Sequence, residues 1–121
     1  MKRLLIATSA IEFGTGAALL SFPSSAVWLL LGAPFDSPSA STVARVGGSG
    51  LITLGIACWF ARGDAQSRAA KGLVDAMTFY NAATVAVLTY ARIGLDLHSV
   101  ALWPAVVLHM AMTVWCVVSR L

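Results

Sequence analysis

Glu12 is the sole glutamate of the chain, and it stands in the middle of an apolar run rather than at its edge. Tyr80 and Asn81 sit inside a second such run, His109 inside a third, and Arg45 a few residues into a fourth. A carboxyl, a phenol, an amide and an imidazole, if brought together, could pass a proton or hold the polar head of a small molecule. The competing use is structural, because hydrogen bonds between membrane helices hold bundles together at about 0.6 kcal/mol each. Both uses require partners: a charge at mid-membrane costs about 2.5–3.5 kcal/mol even on a lenient scale.

Other chemistries find less support. Cys58 and Cys116 fall within apolar runs without a CxxC or Cys/His ligand spacing, so they read as small hydrophobes and no metal site is expected. His98, an expected interfacial loop residue near the start of the fourth helix, stands three turns from His109, and the two cannot clamp a single haem iron. No GxSxG motif is present, nor a Ser or Cys in sequence context with a His, so no catalytic residue is assigned. The four aspartates lie near run ends or in connections. Asp75 is four residues from Lys71, a helical ion-pair spacing, with Arg68 also within reach. Arg45 either snorkels along its stem toward the nearer membrane surface or pairs with Asp36.

Composition determines what must position these groups. The chain has 121 residues, 59% hydrophobic and 11% charged, against about 25% charged in soluble domains. Such a chain cannot cover a globule with polar surface, so lipid is expected to solvate much of it. Four apolar stretches, 4–22, 40–61, 69–91 and 99–121, each approach the roughly 20 residues that cross a hydrocarbon core. In lipid the backbone must satisfy its own polar groups, so each is expected to be helical. The segment 24–33, bounded by Pro23 and Pro34, is too short to cross. It is expected as a short helix in the membrane interface, with Trp28 at headgroup level.

The expected architecture is all-α: an integral membrane four-helix bundle of one domain, residues 1–121, with that interfacial helix between the first two spans. Counting 1.5 Å per residue places Glu12 about 12 Å, Asn81 about 16 Å and His109 about 18 Å deep. All three then lie near the middle of a core roughly 30 Å thick. Small residues at helical spacing mark the expected packing faces. They are Ala10 and Gly14, then Thr8, Glu12 and Gly16, on the first helix. Ala40, Ala44 and Gly48, beside Gly47 and Gly55, mark the second, and Ala101, Ala105 and His109 the fourth.

Lys2, Arg3, Arg62, Arg68, Lys71 and Arg120 gather at one side if the amino terminus is inside, leaving Arg45 and Arg92 on the other. The positive-inside rule then places both termini in the cytoplasm of a bacterial-type inner membrane. Because the cations flank apolar runs instead of forming a patch with interleaved aromatics, the net charge of +3 does not point to nucleic acid. The start of the chain also shares features with a cleavable signal peptide ending near Ser24-Ser25-Ala26. Glu12 within the apolar core of that segment argues for a retained helix.

The wording Ala44-Arg45-Val46-Gly47-Gly48, continuing to Leu54-Gly55 and Trp59, resembles small bacterial proteins of the DoxX-like and DUF4345 type. Lys2-Arg3-Leu4-Leu5 with an acidic residue and Gly14, then Phe22-Pro23 and a short run to Pro34, is similar in layout. The resemblance implies a four-helix inner-membrane protein, in a family named after a component of a thiosulfate:quinone oxidoreductase, and carries no activity over to these residues.

The leading expectation is a non-enzymatic accessory or scaffold subunit. It would pack against itself, as a homo-oligomer, or against a larger membrane complex, among membrane lipids. The second is a protein that handles protons or a small molecule through the midplane polar cluster: a quinone-binding redox subunit, with quinone as its cofactor, or a transporter built from several copies.

Overall fold

The computed structural model describes residues 1–33 and 37–121, all of them helix and connections. Asp36, and with it the pairing considered for Arg45, lies outside the described residues. Five α-helices follow in order: α1 Lys2–Ser21, α2 Pro23–Leu31, α3 Pro38–Ala61, α4 Arg68–Ile93 and α5 Leu102–Arg120, with a 3-10 turn, Arg62–Asp64, after α3.

Local chemistry sets these boundaries. Pro23 and Pro38 each open a helix, where the missing N–H costs nothing. The Ser37 and Ser67 hydroxyls cap α3 and α4 by accepting from the N–H groups of Ala40 and Ala70. Gly32 closes α2 in the left-handed region, φ 69°, as a helix terminus of this kind favours. The last helix begins at Leu102, not at residue 99 as its apolar run suggested. The reason is Ser99, whose hydroxyl is used by the carbonyls of Leu29 and Leu30 at 2.7 and 2.8 Å. His98 lies in the connection before α5, as its loop reading expected, beside Asp96 at 2.8 Å.

Three helices, α1, α3 with its 3-10 turn, and α5, are long and apolar enough to cross a membrane. At 26 residues α4 is the longest, yet Thr78, Tyr80, Asn81, Thr84 and Thr89 dilute its apolar character. The helices associate as two pairs, α1 along α3 and α4 along α5. In the first pair the backbones touch through glycine. A Cβ on Gly16 would lie 2.6 Å from the Gly48 carbonyl oxygen, and one on Gly48 2.7 Å from that of Gly16. Gly55 meets the α1 backbone at Ser9 and Phe13 at 3.1 Å. No such approach exists at Gly14 or Gly47, where a methyl would meet nothing within 4 Å. Ala44 faces α2, across a groove shared with Val27 and Leu31.

Apolar clusters form at both ends, and the first of them joins the pairs. Leu4, Leu5, Cys58, Val74, Met77, Met112 and Cys116 interlock near the end that carries both termini. Leu88, Leu102 and Val106 do so at the opposite end, where Leu30 and Leu31 of α2 pack on them. At the terminal end Arg120 reaches Asp75 with two bonds, 2.6 and 3.0 Å, tying α5 to α4. Asp75 thus turns to a neighbouring helix and not to Lys71 on its own. Because the pair is exposed, Asp75→Asn is expected to leave the fold intact. Any fall in thermal midpoint should vanish at high salt, which a melting series in sodium chloride checks.

Candidate functional site

Between the two apolar clusters the helix pairs do not close on each other. A partly open cavity of about 390 Å³ remains, bounded by all five helices. Its walls are apolar, with Leu19 of α1, Leu29 and Leu30 of α2 and Leu108 of α5 among them, and its floor is formed by Glu12, Tyr80 and His109.

Each floor residue is placed by its own helix. Glu12 is carried in by the α1 face that also holds Thr8 and Gly16, one helical stripe buried against neighbours. It is 3% exposed. Tyr80 of α4 crosses to it, the phenol donating to Oε2 at 3.4 Å. That bond is long for an O–H donor, and a carboxyl has capacity for several more. Tyr80 also meets the His109 ring edge-on, with centroids 5.8 Å apart. Thr84, one turn further along α4, donates to the Tyr80 carbonyl and lines the same wall.

Asn81 lies beneath the floor, 1% exposed, and fixes the imidazole. Its Nδ2 donates to the Met77 carbonyl at 2.8 Å, a group that can only accept. The amide is thereby oriented with Oδ1 toward His109 Nδ1, 2.7 Å away. An amide oxygen only accepts, so Nδ1 carries the proton and donates. On the neutral ring Nε2 is then left as an acceptor.

Glu12, Tyr80, Asn81 and His109 therefore meet at one level across α1, α4 and α5. Arg45 does not join them: its guanidinium donates to the Leu20 carbonyl near the end of α1, and it stays exposed. There it serves the unpaired carbonyls of a helix C-terminus, which favour a cation. Sequence reasoning missed Thr84 and the contribution of α2. The unbroken Leu29-Leu30-Leu31 was the available signal, since a helix lying on the membrane surface would show a polar face there. No group of three or more metal-ligating side chains occurs among the described residues.

Asn81→Leu removes the partner of a half-buried imidazole. Interhelical hydrogen bonds of this kind reach about 1.7 kcal/mol. Asn81→Leu and His109→Leu are expected to destabilise non-additively, which a double-mutant cycle on unfolding midpoints measures.

No family model matches this chain, and neither a curated protein nor a solved structure does so.

Proposed function

We propose that the chain is a multi-pass protein of a bacterial-type inner membrane that holds a small amphiphilic molecule between its two helix pairs. The cavity with apolar walls and the hydrogen-bonding floor of Glu12, Tyr80 and His109 carries this reading. Small-ligand pockets run from about 300 to 1,000 Å³, mostly apolar with a few convergent polar groups. On the resemblance to DoxX-like proteins alone, the amphiphile would be a quinone.

The reading takes α4 as a fourth crossing. Its 26 residues would span about 39 Å. Its charged residues lie toward its two ends, Asn81 in its middle is buried in the bundle, and Phe79, Val87 and Ile93 face outward. Polar side chains in membrane helices are tolerated on such inward faces. With α4 crossing, the excess of Lys and Arg at the terminal end sets both termini in the cytoplasm. Cysteines introduced at 63–68 should then be labelled from the cytoplasm and one at position 36 from outside. Reversed labelling would sink the orientation while leaving the cavity untouched. The native Cys58 and Cys116, both buried, give no background.

Thermal melts in mild detergent test the binding reading. Compact cage-like molecules with one polar group should raise the midpoint of the wild type, as any ligand of the folded state does. Ala105→Phe, which fills the wall, should abolish the shift. Equal shifts in the two proteins would refute it.

A second reading, packing against itself or a larger complex, is supported by Gly14, Gly47 and Gly50, which present open backbone outward. Its test is the number of copies per particle.

A further inference from the structure

We infer that the ligand of this cavity is a lipophilic ammonium ion, its charge set against Glu12 and an N–H directed to His109. The inference rests on the binding reading above and concerns what kind of head group the floor accepts.

The floor is rich in acceptors and has no cation. Glu12 lines the cavity, buried, with its one long contact to Tyr80 leaving most of its capacity unused. It makes no ion pair among the described residues, whose pairs all lie at the two ends. No Lys or Arg lines the cavity, and Arg45 is held at the Leu20 carbonyl. His109 adds a second acceptor, because Asn81 forces its proton onto Nδ1 and leaves Nε2 with a lone pair. The Tyr80 ring beside them offers a negative π-face.

A ligand suited to these groups brings donors and positive charge. An ammonium with an apolar body supplies both, and it is the counter-charge that an ionised Glu12 lacks. A carbonyl-headed ligand brings further acceptors, and a carboxylate sets a like charge against Glu12 in a buried site. An aminophospholipid would carry its phosphate into a cavity without a cation to meet it. The apolar wall spans Glu12 to Leu19 along α1, about 10 Å of rise, room for a compact hydrocarbon cage.

The experiment compares three probes of one shape: 1-adamantylammonium, 1-adamantanol and 1-adamantanecarboxylate. Each is titrated by calorimetry into the full-length protein in neutral detergent, above the alcohol's and acid's micelle partitioning controls. The ammonium is expected to bind at least about tenfold more tightly than the alcohol, and the carboxylate not measurably. Glu12→Gln, an isosteric change, should weaken the ammonium about 100-fold and leave the alcohol within about threefold, as loss of one partner of a buried charge pair does. His109→Gln should narrow the gap between the ammonium and its trimethylated analogue, which has no N–H to give. Binding of all three probes with equal affinity, or tightest binding of the carboxylate, would overturn the ammonium assignment while sparing the cavity. Binding of none would overturn the binding reading itself. If Glu12→Gln does not fold, the wild-type series still decides.

Discussion

Gly48→Val is expected to prevent α1 and α3 from pairing. The first carbon of the new side chain would lie 2.7 Å from the Gly16 oxygen, 2.9 Å from the Leu20 nitrogen and 3.0 Å from the Leu19 Cβ. Two of these are backbone atoms of a neighbouring helix, so no rotamer change relieves them. Overpacking of this kind costs about 1–3 kcal/mol for a methylene in a core that can shift, and more where backbone blocks the shift. Membrane helices gain their association from such close packing, since lipid supplies no hydrophobic drive between them. Gly47→Val is the matched control, one residue away, where the new side chain meets no other helix within 4 Å. Unfolding in a detergent mixture, followed by circular dichroism, should show a large loss for the first and little change for the second. Similar midpoints for the two variants would contradict the glycine contact.

Gly32→Ala should dislodge α2 while leaving the long helices in place. At φ 69° an L-residue carries a steric cost of roughly 1–2 kcal/mol. The added Cβ would also fall 1.8 Å from the His98 carbonyl oxygen, a separation no side chain can occupy. The connection that follows α4 and the end of α2 would have to part, breaking the Ser99 bonds to Leu29 and Leu30. Because α2 lines the cavity, ligand-induced stabilisation should be lost with it. Hydrogen exchange should rise across 23–31 and stay low across α3 and α5. Unchanged protection of 23–31 would show that α2 is held by something other than this junction.

The level of the polar groups was legible from sequence because helical rise is uniform. Counting from the run ends brought Glu12, Asn81 and His109 to similar depth, and the structure sets Glu12 and His109 in one floor with Asn81 beneath the imidazole. Arg45, counted as a candidate although its place near the start of its run sets it away from the other three, stands opposite Leu20, eight residues or about 12 Å past Glu12 along α1. The direction each small residue faces was less legible. Gly47 and Gly48 are adjacent in sequence but turned about 100° apart on a helix, so one touches α1 and the other faces away. Local spacing likewise suggested Lys71 for Asp75, whereas Arg120 meets it from forty-five residues away, a match of depth that spacing along one helix cannot display. The late start of α5 is hidden in the sequence because Ser99, Val100 and Ala101 continue the apolar run, while the serine hydroxyl donates to α2 carbonyls.

Native mass spectrometry of the protein purified in mild detergent tests the central claim, a ligand held between the helix pairs. The wild type is expected to retain a small molecule, one per chain, that survives delipidation and is released on activation. Ala105→Phe, filling the cavity wall, should carry none while keeping the same number of copies per particle. A wild type without any retained molecule, or an adduct of equal mass and occupancy in Ala105→Phe, would contradict the claim.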